Sequence, residues 1–142
     1  MTVAVADTSA WVWSRKPGYP ELRVAFGERL ESGEIATCDM VAAELLCSTR
    51  TAAELRARRD ELLAMRWYPT GPRVWRRTLD VMEELARRSP LGHRSVKHAD
   101  LLVAAAAEAA ELPVLHYDED FDRIAAVTGQ PVEWLVPKGS LR

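Results

Sequence analysis

Three short runs of small and β-branched residues, Val3 to Ala6, Ile35 to Cys38 and Val114 to Tyr117, each stop at an aspartate: Asp7, Asp39 and Asp118. Runs this short with little polar interruption read as strands buried on both faces. Between them, apolar residues recur at helical spacing. Glu21 to Glu31 carries Leu22, Val24, Ala25, Phe26 and Leu30 and is closed by Ser32-Gly33, which predicts a helix with a glycine stop. Asp39 is placed to cap a helix through Cys47 or Ser48, and Thr51 to Met65, with Ala52, Leu55, Leu62 and Leu63, predicts a second helix forming a hairpin with the first. Trp67-Tyr68 reads as an edge strand. Gly71-Pro72 opens a longer helix with the stripe Val74, Trp75, Leu79, Val81, Met82, Leu85 and Ala86, ending near Ser89-Pro90. Leu91 to His98 is a loop, His98-Ala99-Asp100 begins an Ala-rich helix ending before Pro113, Glu119 to Thr128 predicts another helix and Val132 to Val136 a last strand.

Strands alternating with helices predict an α/β fold of three layers, α/β/α, around a mainly parallel sheet. Such sheets bind ligands beyond the carboxyl ends of their strands, and Asp7 and Asp118 lie there. Composition narrows the class further. With 142 residues, 48% of them hydrophobic, the chain is expected to be a single domain, 1–142, with one core. The opening Met1-Thr2-Val3-Ala4-Val5-Ala6-Asp7 lacks the basic start and long apolar stretch of a secretory signal, and the longest apolar run, Leu101 to Ala107, is too short to span a bilayer. A cytosolic location with no membrane partner is expected. Cys38 and Cys47 are too few for a disulfide framework or a zinc site and are read as small buried hydrophobes. The net charge of -2 gives no general pull towards nucleic acid. Arginines gather, however, at Arg50, Arg56, Arg58, Arg59, Arg66, Arg73, Arg76 and Arg77, which make either a solvated helical face or a phosphate-binding surface.

Carboxylates in apolar settings carry the candidate chemistry. Asp7 follows a buried strand, Glu44 sits inside Val41-Ala42-Ala43-Glu44-Leu45-Leu46, Asp100 opens Leu101-Leu102-Val103 and Asp118 follows another buried strand. Singly, Asp7 and Asp118 could cap helices and Asp100 could complement a helix dipole. Glu44, in mid-helix, has no capping role, which leaves an exposed stripe as its alternative to a functional one. Gathered together, the acids would repel one another unless a hard divalent cation shared them, and an all-oxygen set suits Mg²⁺ or Mn²⁺ better than zinc.

In order along the chain, Asp7-Thr8-Ser9-Ala10, then Val41 to Leu45 around Glu44, then His98-Ala99-Asp100-Leu101-Leu102-Val103, then Leu115-His116-Tyr117-Asp118-Glu119-Asp120-Phe121-Asp122-Arg123-Ile124 resemble the PIN-domain ribonucleases, and within them the VapC-type toxins of bacterial toxin–antitoxin pairs. The resemblance implies a catalytic quartet of Asp7, Glu44, Asp100 and Asp118. It implies metal ligation by Asp7, Asp100, Asp118 and Asp120, with Asp118 preferred over Asp120 as the fourth acid because it follows the strand more directly. Thr8 and Ser9 could contact substrate or satisfy amides at the turn, and Arg94 and Lys97 could reach a substrate phosphate or be solvated in their loop. The implied activity is Mg²⁺- or Mn²⁺-dependent endoribonuclease cleavage of cellular RNA by a homodimer that a cognate antitoxin blocks. Trp11 and Trp13, near the acids, are the expected dimer or antitoxin contacts, while Trp75 and Trp134 are expected in the core. Two alternatives remain open at this level: a non-catalytic PIN-like binding module, and phosphoryl transfer through an aspartyl-phosphate at Asp7, for which the expected lysine at a strand end is missing.

Overall fold

The computed structural model describes residues 2–142. Its five strands are β1 (Ala4–Ala6), β2 (Ile35–Cys38), β3 (Arg66–Tyr68), β4 (Val114–His116) and β5 (Val132–Trp134), and every pairing in the sheet is parallel, in the order β3-β2-β1-β4-β5. β1, β2 and β4 are buried along their whole length, as their mostly apolar character favours when helices cover both faces, and Thr37 and His116 are buried with them. The fold is the expected three-layer α/β/α arrangement.

Parallel strands need crossovers, and the right-handed sense of these fixes the layers. From β1 the chain runs through α1 (Thr8–Arg15) and α2 (Pro20–Glu31) to β2, then through α3 (Asp39–Cys47) and α4 (Ala52–Leu63) to β3. The order then reverses: α5 (Pro72–Arg88), a 3₁₀ turn (Gly92–Arg94) and α6 (His98–Ala109) return to β4, beside β1, and α7 (Asp120–Thr128) leads on to β5. α5, α6 and α7 pack on one another, while α3 touches both α1 and α6. The reversal lies between β1 and β4, the position at the strands' carboxyl ends where sheets of this kind bind ligands.

α6 is buried continuously from Asp100 to Ala107, which accounts for its alanine content: side chains this small let a helix that is apolar all round lie close to the sheet and to α5. α5 reaches its neighbours with Val74, Thr78, Val81 and Leu85. Trp75 and Leu79 sit about 100° further round the helix and are 50% and 59% exposed, so Trp75 is not the core residue that its stripe suggested. Gly92, buried as the first residue of the 3₁₀ turn, has no room for a side chain: a Cβ there would run into the Leu85 carbonyl oxygen and the Ser89 hydroxyl.

Several other expectations are corrected. Trp11 is buried edge to face against Phe26 at 5.1 Å, under the Arg15 guanidinium, and is not available as a contact surface. Trp134 is half-buried. Cys38 is buried but Cys47, the last residue of α3, is exposed, because the helix end turns it away from the core. Asp39 is a helical residue, not a cap; its carboxylate accepts from Trp67 Nε1 at 2.6 Å and from the Thr70 amide at 2.8 Å, tying α3 to the end of β3. On α4 only Leu62 is buried, and Leu55 and Leu63 face solvent. Among the described residues no helix is long and apolar enough to cross a membrane.

Candidate active site

The acids converge where the sheet reverses. β1 delivers Asp7 to this position, and the chain turns at once into α1, with Asp7 as its cap: the Ser9 amide and hydroxyl donate to Asp7 Oδ2 at 3.1 and 2.7 Å. The other oxygen, Oδ1, is buried with no partner. Capping and a functional role are therefore compatible in one side chain, since each uses a different oxygen. The Ser9 hydroxyl also accepts the Tyr117 amide at 2.9 Å, joining the ends of β1 and β4.

Beyond β4, the tight turn Tyr117-Asp118-Glu119 leads into α7. The Asp120 amide donates to Asp118 Oδ1 at 3.0 Å, and Arg123 pairs with Asp120 and Glu119. The first turn of α6, which packs against α7, brings Asp100 alongside these acids. Asp100, Asp118 and Asp120 each offer a carboxylate oxygen within 4.8 Å of the others. Asp118 and Asp120 are thus both at the cluster, where two residues of separation across the turn leave neither pointing away. Glu44 enters from α3, held by Thr8, whose hydroxyl donates to its Oε1 at 2.9 Å.

Burial and mutual repulsion set the charge state. Asp100 is 6% exposed and its Oδ2 has no partner. Burial first, then the negative charges of Asp7, Asp118 and Asp120, push its carboxyl up to about 7, against a small opposing effect from Lys97. Asp7, 3% exposed, is also raised, chiefly by burial and further by Glu44, despite its bonds to Ser9. A buried carboxylate oxygen without a donor is costly. Two of them beside further acids form a donor set that fits a hard divalent cation with oxygen ligands.

The polar residues expected to meet substrate divide. Thr8 and Ser9 are in the site, but both hydroxyls are occupied by protein groups. Lys97 is exposed immediately before α6, close enough to act on Asp100. Arg94 is exposed on the 3₁₀ turn and, among the described residues, makes no ion pair with the acids. Trp13 is half-buried in an aromatic group, 6.0 Å from Tyr19 and 5.3 Å from Tyr117, which in turn meets Trp134 at 5.4 Å. Sequence reading treated His116 as a strand residue only. The structure places its Nδ1 as the acceptor of the Asp118 amide at 3.1 Å; its position two residues before an acidic turn was the available signal.

Comparison with known proteins agrees with this geometry. The PIN domain family model matches residues 4–127. Ribonuclease VapC18 of Mycobacterium tuberculosis is 44% identical over 139 residues, covering 98% of this chain and 99% of the relative, and ribonuclease VapC21 of the same organism is 40% identical over 85% of this chain and 87% of its own length. Among solved structures, a DNA-bound VapBC from Salmonella typhimurium superposes with a TM-score of 0.73 at 18% identity, covering 96% of this chain and 100% of that one, a likeness of fold. VapBC-5 from Mycobacterium tuberculosis aligns with a TM-score of 0.57 at 25% identity, over 94% of this chain and 98% of that one. The carboxylate cluster at the sheet's reversal, the family model and the near full-length relatives lead to one assignment: the chain belongs to the PIN-domain family, in its VapC-type branch.

Proposed function

We propose that this chain is a divalent-metal-dependent endoribonuclease, the toxin of a toxin–antitoxin pair, cleaving cellular RNA in the cytosol. One observation carries the reading: Asp100 of α6 clusters with Asp118 and Asp120 of the β4–α7 turn, Asp7 of β1 lies near enough to act on Asp100, and Asp7 and Asp100 each present a buried oxygen that no protein group satisfies. The relatives named ribonuclease VapC and the VapBC complexes support the activity and the antitoxin partner.

Asp7, Asp100, Asp118 and Asp120 are the residues that would hold Mg²⁺ or Mn²⁺. When bound, the ion would offset the anionic cluster, acidify water and stabilise charge on the phosphoryl oxygens. Glu44 has a different place. It lies beside Asp7 and is fixed by the Thr8 hydroxyl, so its second oxygen is the one suited to take a proton from water attacking phosphorus. Ser9 aligns Asp7 by donating to Oδ2, and its link to the Tyr117 amide keeps the two strand ends in register. Lys97, with Arg94 further out, supplies positive charge on the approach for the RNA backbone.

A homodimer completes the reading. Trp75 and Leu79 expose an apolar stripe on α5, flanked on one side by Arg76 and Glu83. An antiparallel second copy of α5 centred near Leu79 would set Arg76 against the other copy's Glu83 twice over, as a two-fold interface requires.

The defining experiment is cleavage of single-stranded RNA by purified protein with Mg²⁺ or Mn²⁺, abolished by EDTA. Asp7→Asn and Asp100→Asn are each expected to lower the rate by about 100-fold or more and to weaken Mn²⁺ binding. Undiminished cleavage by both variants would remove the acids from the chemistry.

A further inference from the structure

We propose that His116 is a positioning residue: by accepting the Asp118 amide on Nδ1 it fixes the β4–α7 turn and thereby sets where the Asp118 carboxylate stands in the acid cluster. The role of the cluster is that given under Proposed function, and the inference rests on it.

His116 ends β4 and is fully buried, its ring 4.7 Å from Trp134 and 5.2 Å from Phe121. An aromatic cage of this kind suits a phenyl ring equally well, and the imidazole makes a poor bargain as packing alone. With Nδ1 accepting the Asp118 amide at 3.1 Å, the ring proton of the neutral form sits on Nε2. That nitrogen is buried with no hydrogen-bond partner, and the closest carboxylate oxygen, on Asp122, is 3.9 Å away. That oxygen is Oδ1, beyond hydrogen-bond reach, while Asp122 is held through its other oxygen, Oδ2, which accepts from Trp134 Nε1 at 3.2 Å. An unpartnered buried N–H is destabilising, so only the Nδ1 bond explains why a polar ring suits this position.

That bond falls at a sensitive point. The Asp118 amide comes after the last β4 residue and before α7, where neither the sheet nor the helix supplies an acceptor. Its neighbours are also held by side chains: the Tyr117 amide by Ser9 Oγ, the Asp120 amide by Asp118 Oδ1. Ser9 serves Asp7 as well, whereas the His116 bond acts on Asp118 alone. A turn released at this amide rotates the peptide that carries the carboxylate, and Asp118 and Asp120 lose their common distance from Asp100.

Three variants of the full chain separate the acceptor from the shape. His116→Asn places its Oδ1 where Nδ1 stands, His116→Gln carries its amide out towards the Nε2 position, and His116→Phe keeps the ring without an acceptor. Amide hydrogen exchange of Asp118, followed by ¹⁵N NMR on metal-free protein, reads the bond directly. Exchange is expected to be about tenfold or more faster in the Gln and Phe variants and close to wild type in the Asn variant. Mn²⁺ affinity and the kcat for RNA cleavage should fall by about 10–100-fold in the Gln and Phe variants, with KM little changed, and be restored by Asn. The inference is overturned if Asn behaves as Phe does, or if Phe keeps wild-type Asp118 exchange and Mn²⁺ affinity. Failure of the wild type to cut RNA would sink the nuclease reading instead, and amide exchange with Mn²⁺ titration would still decide the role of His116.

Discussion

Asp100 carries a cost of burial that a bound cation would offset. Its carboxyl protonates near 7 in the folded chain, against a reference value of 3.8. Between those values the folded state holds a proton that the unfolded chain has released, so metal-free protein loses stability as pH rises from about 4 to about 7. For this shift the loss amounts to up to about 4 kcal/mol at an order-of-magnitude level. Asp7 is shifted the same way. His116, lowered by burial, has the opposite sign, so the clean measurement compares wild type with Asp100→Asn in EDTA. The variant should melt higher than wild type at pH 8, with the gap closing at pH 5; a gap independent of pH would show that Asp100 is not held protonated. Mn²⁺ should then raise the wild-type melting temperature most at pH 8, where the carboxylates are free to bind it. Thr8 is tested at the same scale. Thr8→Val removes the donor to Glu44 with little change of volume, and under the proposed role of Glu44 as base it is expected to lower kcat by about tenfold while leaving Mn²⁺ affinity near wild type; equal loss of both would assign Glu44 to the metal.

Elements position these residues, and their own requirements are local. The acids come together because β1 and β4 are neighbours across the sheet's reversal and because α6 enters with its first turn at the same end. The segment that aims α6 is the 3₁₀ turn, pressed against the end of α5 at Gly92. Gly92→Ala would push a methyl into the Leu85 carbonyl and the Ser89 hydroxyl, and is expected to destabilise the fold by about 1–3 kcal/mol, measured by urea denaturation. A neutral result would mean that the turn is free to move away from α5. Strand and helix positions were legible in the sequence since their patterns are local: short, mostly apolar runs for buried strands, a glycine or proline at helix ends. α4 was less legible. Its leucines have helical spacing, yet it lies towards the β3 edge with a single buried position, and spacing alone does not state how much of a helix the rest of the protein covers.

On the scale of the whole molecule, surface character decides assembly. The exposed Trp75 and Leu79 predict that Trp75→Glu converts a dimer to a monomer in light scattering while leaving Mn²⁺ binding intact; an unchanged mass would place the contact elsewhere. The roles of the tryptophans show the boundary of what sequence reveals. Trp11 and Trp75 were assigned the wrong way round because a tryptophan in a helix is apolar in either setting, and a difference of one position in the helical repeat, about 100° of rotation, decides whether it meets the core or water. The acids were legible for the opposite reason: a carboxylate beside a buried strand or within an apolar helix is anomalous wherever the fold takes it. Sequence alone thus determined the strand and helix order and the three-layer class, and it singled out the acids in apolar settings. Tertiary structure decided that Asp118 and Asp120 both stand at the cluster, that Thr8 and Ser9 are bonded to its acids, and that His116 braces the turn, since each of these depends on distances between segments that only the closing of the sheet sets.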